Sequence, residues 1–277
     1  MAVSRFIRFK DEQGSIYYGE PCQDDLAGNL VNATVMVLEG NPFDGLKPLG
    51  FEAKVAKILS PLESTPIILC IGLNYKQHAE EANLNITPYP VVFSKPADAL
   101  TGPYDDIHVH PDATPKLDYE GELTVVIGKD CKNISEEEAL DYVLGYTIGN
   151  DVSARNFQMP DVSGGQFCYA KSFDGFAPIG PAISMTDAIP DPQKLSFITR
   201  VNGMKRQETS TDDMIWPVSQ IIAHLSRGTT IRKGTLIMTG TPSGVGLFTP
   251  DGFLHHDSVV EIELKGLGTI KNRIVFD

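Results

Sequence analysis

Short runs of alternating apolar and polar residues recur along the chain and are separated by glycine, proline and asparagine. Alternation with a period of two is typical of β-strands that bury one face. Such alternation, together with short continuous apolar runs such as 67–71, predicts strands at residues 4–10, 16–19, 34–39, 67–71, 91–96, 117–128, 146–151, 231–239, 258–265 and 269–275. Two further strands, 195–203 and 204–209, are joined at Asn202-Gly203, a dipeptide typical of a tight hairpin.

Helical spacing is confined to four short segments, which predict helices at residues 52–59, 73–81, 135–144 and 218–227. Ser135 and Glu138 form a capping box at the start of the third helix, and Gly145 would end it. Pro61 and Pro66 interrupt the pattern after the first helix. We therefore expect a small β-rich N-terminal domain at residues 1–65 and a larger domain at residues 66–277.

Composition limits the classes of partner. The chain of 277 residues has 23 Lys and Arg against 36 Asp and Glu, and the net charge of −13 argues against nucleic acid or an anionic membrane as a partner. No apolar run approaches the roughly 20 residues of a membrane span. The four cysteines are scattered, so we expect a reducing compartment, the cytoplasm or alternatively the mitochondrion, and no cysteine-ligated zinc.

Two glutamates, Glu120 and Glu122, interrupt the apolar strand predicted at residues 117–128. Residues two apart on a strand point to the same face, so the two carboxylates would lie side by side and repel each other. A hard divalent cation would compensate this repulsion, since such ions prefer oxygen ligands. The alternative is an exposed strand face with solvated glutamates. Asp151 ends the strand 146–151, where it is either a third carboxylate ligand or a helix N-cap.

Three other positions are candidates for chemistry. His78 and Glu81 lie three apart on a predicted helix, which suits a general base held in one tautomer, although chance pairs on exposed helices are common. Lys171 lies among aromatic and small residues, whereas Lys95 ends a strand, where lysine usually solubilises the tip. The loop after residue 238 is rich in Gly, Thr and Ser, so it offers backbone N–H groups and hydroxyls to a carboxylate or phosphate.

Taken in order, these segments resemble the fumarylacetoacetate hydrolase family, in its acylpyruvate hydrolase and oxaloacetate decarboxylase-like branch. The matching motifs are Gly72-x-Asn-Tyr-x-x-His-x-x-Glu81, Lys95-Pro96, Asp118-Tyr-Glu-x-Glu122, Asp151-Val-Ser-Ala-Arg-x-x-Gln158, Lys171-Ser-Phe-Asp and Thr239-Gly-Thr-Pro-Ser-Gly244. The resemblance implies an α+β, β-rich fold, a mixed β-sandwich roll behind a small N-terminal domain. It also implies a homodimer with one Mg²⁺ or Mn²⁺ per site.

The resemblance further assigns expected roles to individual residues. Glu120, Glu122 and Asp151 would be the metal ligands. The pair of His78 and Glu81 would activate water, and Lys171 would stabilise enolate charge. The expected substrate contacts are Lys95, Arg155, Gln158, Gly240 and Thr241.

The function implied is hydrolysis of a C–C bond in an acylpyruvate-type substrate, a 1,3-diketo 2-oxo acid, through an enolate. Two alternatives remain open at this stage. Decarboxylation of oxaloacetate, or isomerisation of a related 2-oxo acid, would use the same site without attacking water. A non-catalytic small-molecule-binding protein is the third possibility.

Overall fold

A computed structural model of the protein describes residues 3–22, 26 and 30–277. The strands in these residues are β1 (Arg5–Lys10), β2 (Ile16–Glu20), β3 (Thr34–Asn41), β4 (Gly45–Lys54), β5 (Lys57–Leu59), β6 (Ile68–Gly72), β7 (Val91–Lys95), β8 (Leu100–Thr101), β9 (Ile107–Val109), β10 (Leu117–Asp118), β11 (Gly121–Ile127), β12 (Val143–Asn150), β13 (Ser153–Ala154), β14 (Ala177–Met185), β15 (Ser196–Val201), β16 (Met204–Ser210), β17 (Leu236–Met238), β18 (Val259–Leu264) and β19 (Gly268–Phe276). The α-helices are α1 (Lys76–Glu81), α2 (Pro160–Ser163) and α3 (Val218–Ser226). Short 3₁₀ helices occur at Ala97–Ala99, Pro111–Ala113, Ala139–Tyr142, Arg155–Phe157, Tyr169–Lys171, Thr186–Ala188, Thr211–Asp213 and Gly246–Phe248.

The strands form one large sheet and two smaller ones. The large sheet has the order β4-β3-β2-β1-β14-β12-β11-β17-β6-β7, with β5 beside β1 and β8 beside β14. A five-stranded sheet has the order β16-β15-β18-β19-β9, and β10 pairs with β13 alone. Most pairs are antiparallel, but β17 runs parallel to β6, β19 runs parallel to β9 and β8 runs parallel to β14. The sheets are therefore mixed, as the family resemblance implied.

The main core lies between the large sheet and the five-stranded sheet. Strands β11 and β12 contribute Leu123, Val125 and Ile148, and strands β15, β18 and β19 contribute Phe197, Ile262 and Ile270. Val126 of β11 points to the opposite face, where it joins a second apolar cluster with Met238. Both faces of β11 are thus buried, which explains why its sequence after Glu122 is mostly apolar, apart from a buried Thr124, rather than alternating.

Most predicted elements are confirmed. The hairpin at Asn202-Gly203 joins β15 to β16, and both turn residues have positive φ, 51° and 79°. The helix that carries His78 and Glu81 is α1, and the amphipathic helix before Gly228 is α3. None of the helices in the described ranges is long and apolar enough to cross a membrane.

Two predicted helices are wrong. Residues 52–59 form the end of β4 and the whole of β5, because Glu52 pairs with Met36 of β3 and Ile58 pairs with Phe9 of β1. Long-range strand pairing therefore overrides a weak helical spacing. In the segment 135–144, the capping-box bonds between Ser135 and Glu138 do form, at 3.1 and 3.3 Å. Only a 3₁₀ turn follows, because the chain enters β12 at residue 143 and pairs with β11.

The N-terminal strands are continuous with the large sheet. Strand β1 pairs antiparallel with β14 through Arg5 and Phe6, and it also pairs with β2 and β5. A third apolar cluster, which includes Ile7, Phe9, Val37 and Ile58, fills the space beside these strands. The domain boundary at residues 65 and 66 stays a prediction.

Candidate active site

The three predicted carboxylate ligands are brought together at adjoining strand ends. Strand β10 stops at Asp118 and β11 starts at Gly121, so the continuous strand predicted across Glu120 is wrong. Glu120 instead lies in the break, where its carbonyl accepts a hydrogen bond of 2.8 Å from the Asp151 amide. Because Gly121 pairs with Asn150, Asp151, which directly follows β12, is held beside Glu120.

Glu122 joins this pair from within β11. It is 1% exposed, and its Oε2 accepts a hydrogen bond of 2.6 Å from the Gly240 amide. Gly240 follows β17, which pairs with β11, and has a φ of 102°, so a side chain there would be strained. A Cβ at this glycine would also lie 2.6 Å from the Asn74 Cβ. Glycine is thus required for the loop to approach Glu122.

One carboxylate oxygen from each of Glu120, Glu122 and Asp151 lies within 4.8 Å of the other two, and all three residues are buried. Burial and the neighbouring Asp151 and Glu120 charges raise the pKa of Glu122 well above its ordinary value of 4.5. The crowded anions and burial therefore favour the protonated form of this carboxyl group relative to a solvated glutamate, as expected for carboxylates that share a site. Three buried oxygen donors with excess negative charge fit a hard divalent cation such as Mg²⁺ or Mn²⁺.

Two cations adjoin the carboxylates. Lys171 Nζ lies 2.7 Å from Glu120 Oε2 and 2.8 Å from Asp151 Oδ2. Arg155 donates to Glu120 Oε1 at 2.5 Å and, through Nε, to Asp118 Oδ2 at 2.8 Å. Burial opposes ionisation of Glu120, but Arg155 and Lys171 outweigh it and lower the pKa of this carboxyl group. Burial likewise opposes charge on Lys171, yet Asp151 and Glu120 raise its pKa.

Lys95 is a third cation and is buried, so a solubilising strand tip is excluded. Its Nζ donates to the carbonyls of Val152, Lys171 and Phe176 at 2.8 to 3.0 Å. It also lies 2.6 Å from Asp151 Oδ1, an ion pair without hydrogen-bond geometry. Burial lowers the pKa of Lys95. These contacts hold Asp151 in place, and the substrate contact expected for Lys95 stays a prediction.

His78 and Glu81 form the expected pair on α1. His78 Nδ1 lies 3.0 Å from Glu81 Oε2, and the same carboxylate accepts hydrogen bonds of 2.9 and 3.2 Å from the Gly244 amide. Glu81 therefore links the helix to the loop after β17. The Phe248 ring packs 5.9 Å from the imidazole, between centroids. With Nδ1 protonated and donated to Glu81, Nε2 is the nitrogen left to accept a proton.

Some of these groups line one cavity of about 280 Å³. His78, Glu120, Arg155, Gln158, Lys171 and Thr241 all line it. Much of the remaining wall is apolar and comes from β7, from the loop after α1 and from residues 245–248. The candidate base His78, one carboxylate of the cluster and two cations therefore line a single pocket, which is the arrangement expected of an active site.

The predicted substrate contacts have protein partners of their own. Thr241 Oγ1 donates to the Gly121 carbonyl at 2.9 Å and accepts from Gln207 Nε2 at 2.8 Å. Gln158 Oε1 accepts from Arg155 at 2.7 Å. Gly240 uses its amide for Glu122. Their roles in holding a substrate stay predictions.

Asp118 is the residue whose role was not anticipated. It accepts from Arg155 and from the amides of Gly246 and Leu247, at 2.7 to 3.0 Å, so it fixes the guanidinium and the loop together. It lies within a quoted motif, but carboxylates that bind only protein groups carry no separate sequence signal. In the described part of the chain, all buried Asp, Glu, Lys and Arg residues belong to this site: Asp118, Glu120, Glu122, Asp151, Lys95, Arg155 and Lys171.

The fold and the site together indicate an enzyme that acts on a small molecule. Its site is a buried cluster of carboxylates in a β-rich sandwich. A family profile described as fumarylacetoacetate hydrolase, C-terminal, matches residues 67–275. An oxaloacetate tautomerase from Xenopus laevis, named as mitochondrial, is 42% identical over 219 residues, which cover 79% of this chain and 68% of that protein. An oxaloacetate tautomerase from Bacillus subtilis is 41% identical over 237 residues, 84% of this chain and 78% of the relative.

A solved structure extends the likeness over the whole chain. The crystal structure of 2-hydroxyhepta-2,4-diene-1,7-dioate isomerase from Mycobacterium marinum is 33% identical, covers 99% of both chains and has a TM-score of 0.82. The chain belongs to the fumarylacetoacetate hydrolase family, a family of enzymes. The resemblance seen in the sequence and the β-rich, mixed fold that it implied are both confirmed.

Proposed function

We propose that this chain is a divalent-metal-dependent enzyme that interconverts the keto and enol forms of a small 2-oxo acid, with His78 as the proton carrier. The observation that carries the proposal is that His78, held by Glu81, lines the same cavity as Glu120 and Lys171. Relatives about 40% identical are named oxaloacetate tautomerases, which supports this isomerase alternative over the hydrolase first expected.

Glu120, Glu122 and Asp151 would hold the ion, and the chemistry that Mg²⁺ or Mn²⁺ supplies there is Lewis-acid stabilisation of negative charge on the 2-oxo acid. Lys171 and Arg155 keep Glu120 ionised by placing positive charge against it. Lys95 holds Asp151 in position from the other side. The ligand set is therefore built in advance of binding, which is what a precise site requires.

His78 carries the proton in this scheme. In the keto-to-enol direction, its unprotonated Nε2 accepts a proton from C3 of the 2-oxo acid, and the resulting imidazolium returns that proton to the C2 oxygen. Glu81 accepts from Nδ1–H throughout, so the ring keeps one orientation. The apolar wall around this pair, which includes Phe248, limits the access of water to the base.

Hydrolysis of an acylpyruvate is the second candidate. The same free imidazole nitrogen could take a proton from water, and the Glu81 side chain is 23% exposed, so solvent contacts one member of the pair. Water would add to the distal carbonyl, and the C–C bond would break to give two acids. Decarboxylation would release carbon dioxide without a general base, so it has less use for the pair of His78 and Glu81.

One experiment separates these reactions. The purified chain is incubated with oxaloacetate enol and with acetylpyruvate, with Mg²⁺, Mn²⁺ or a chelator, and products are identified by NMR. The proposal expects metal-dependent loss of the enol signal without new carboxylic acids. Acetate and pyruvate from acetylpyruvate would establish the hydrolase instead. The homodimer and the cytoplasmic or mitochondrial location remain predictions.

A further inference from the structure

We propose that the substrate of this site is a monocarboxylate whose end away from the 2-oxo acid group is uncharged and apolar. This inference rests on the proposed function and makes it more specific. It also separates this chain from relatives named for oxaloacetate, which is a dicarboxylate. Three features of the cavity support this inference: its wall is largely apolar, its cations already contact protein carboxylates, and the buried charged cluster has a small net charge.

The wall away from the carboxylates is apolar. Its side chains include Leu73, Leu84, Val91, Phe167, Leu247 and Phe248. The polar side chains on this side, Asn85, Thr87 and Gln158, are neutral. A carboxylate placed against such a wall would lose its hydration without gaining a cationic partner, and burial of an unpaired charge is costly. An aliphatic or aromatic group would instead gain from burial.

The cations that line the cavity are already engaged. All three nitrogens of the Arg155 guanidinium have partners, namely Asp118, Glu120 and Gln158. The Lys171 ammonium is shared between Glu120 and Asp151. Within the described residues, no other lysine or arginine lines the cavity. A second substrate carboxylate would therefore have to share each of these cations with protein carboxylates that already contact it.

The charge of the buried cluster leads to the same conclusion. Its members are Asp118, Glu120, Glu122 and Asp151, with Lys95, Arg155 and Lys171. Four carboxylates against three cations leave one formal negative charge, which a divalent ion would change to one positive charge. One substrate carboxylate neutralises that charge, whereas a second leaves the buried site with an excess anion.

Leu84 marks where the far end of the substrate would lie. It belongs to the loop after α1, lines the cavity and is 56% exposed, so it can be changed without disturbing the core. Ile86, two residues away, is 53% exposed but does not line the cavity. The two residues form a matched pair, because an arginine at either position adds the same charge to the same loop.

The test is a binding measurement that needs no turnover. N-Isobutyl oxamate and N-oxalylglycine share the oxamate group, which imitates a 2-oxo acid, and differ only in an isopropyl group against a carboxylate of similar size. Calorimetric titration of the Mn²⁺-loaded chain should show that N-isobutyl oxamate binds about tenfold or more tightly than N-oxalylglycine, since each buried methyl or methylene group favours binding.

The paired variants test where the end of the bound compound away from the oxamate group lies. Leu84→Arg should bind N-oxalylglycine roughly two- to fivefold more tightly than the wild type does, as for an exposed ion pair, and N-isobutyl oxamate more weakly. Ile86→Arg should leave the ratio of the two affinities unchanged. An unchanged ratio in Leu84→Arg would contradict the placement of the substrate end at this wall.

Other outcomes separate the two proposals. Equal or tighter binding of N-oxalylglycine by the wild type would overturn the inference while leaving the 2-oxo acid function intact. Failure of both compounds to bind, with Mn²⁺ bound, would overturn the proposed function and this inference with it. Both the proposed function and this inference are supported if the wild type binds N-isobutyl oxamate more tightly than N-oxalylglycine. The ratio of the two affinities should then be reduced or reversed in Leu84→Arg and in no other variant tested.

Discussion

Lys171 Nζ lies 2.7 Å from Glu120 Oε2, with both groups buried, so an internal ammonium directly adjoins one of the candidate metal ligands. The same ammonium lies 2.8 Å from Asp151. Lys171 therefore belongs to the charge balance of the carboxylate cluster and not only to the substrate pocket. Two cations, the lysine and a divalent ion, would share the same carboxylates.

Replacement of this lysine should make stability depend on metal. In Lys171→Met, Glu120 and Asp151 lose a buried partner, which should lower the free energy of unfolding by about 3 kcal/mol or more in the presence of chelator. Added Mn²⁺ should restore part of this loss. Urea unfolding with and without metal measures both values. Lys194→Met, which removes an exposed pair with Asp191, is the control and should cost less than about 1 kcal/mol. An equal loss of unfolding free energy in the two variants would contradict the role of Lys171 in balancing the charge of the buried carboxylates.

The positioning role of Glu81 is separable from that of its neighbour. Glu81 contacts His78 and the Gly244 amide, whereas the side chain of the adjacent, exposed Glu80 makes no hydrogen bond or ion pair with the described residues. Glu81→Gln should lower kcat by about tenfold to a hundredfold with little change in KM, because the imidazole loses an oriented acceptor. Glu80→Gln should behave as the wild type does. Steady-state kinetics on the substrate panel measure this, and similar losses in both variants would show that Glu81 has no special role.

Gly121 should be intolerant of even a methyl group. A Cβ there would lie 2.5 Å from Thr199 Oγ1 and 2.7 Å from Phe197 Cζ, so the side chains of β15 in the second sheet, and not neighbouring backbone, require glycine. Gly121→Ala should destabilise the protein by about 1–3 kcal/mol and weaken Mn²⁺ binding. Adding Phe197→Leu should recover part of the stability. Full stability of the single variant in thermal unfolding would exclude this close contact.

Stability at alkaline pH should depend on Tyr104. Its hydroxyl donates to the Thr269 carbonyl at 3.2 Å, and burial raises its pKa from 10.0 to about 12. A raised pKa means that the folded state holds the proton longer, so the stabilisation is complete below pH 10 and is lost as the pH rises towards 12. In Tyr104→Phe, the free energy of unfolding should fall less steeply with pH in this window. The difference in slope should correspond to about one bound proton. An unchanged slope in urea titrations would contradict the prediction.

Local sequence pattern predicted the elements that depend on neighbours in the chain. Helix α1 with His78 and Glu81, the hairpin at Asn202-Gly203 and strands β18 and β19 follow from spacing and turn chemistry. Residues 52–59 were predicted wrongly because their structure depends on pairing with β1 and β3, which no local spacing encodes.

The carboxylate cluster shows the same limit. Same-face geometry on one strand suggested a shared site for Glu120 and Glu122, but Glu120 lies outside β11 and reaches the cluster through its backbone bond to Asp151. Lys95 appeared to be a solvated strand end because only the folded chain places three carbonyls and Asp151 around it. The order of the motifs indicated which residues come together. The hydrogen-bond and ion-pair partners of each residue could be identified only from the structure.

The central claim is that His78 moves a proton at C3 of a 2-oxo acid when a divalent ion is bound. Deuterium exchange at C3 of 2-oxo-4-methylpentanoate and of oxaloacetate in D₂O, followed by proton NMR with Mg²⁺, tests it directly. With the wild-type chain, the account predicts fast exchange of 2-oxo-4-methylpentanoate and slower catalysed exchange of oxaloacetate. It also predicts loss of catalysed exchange with chelator and a loss of about a hundredfold or more in His78→Ala. Exchange at the uncatalysed rate with the wild-type chain, or undiminished exchange in His78→Ala, would contradict it.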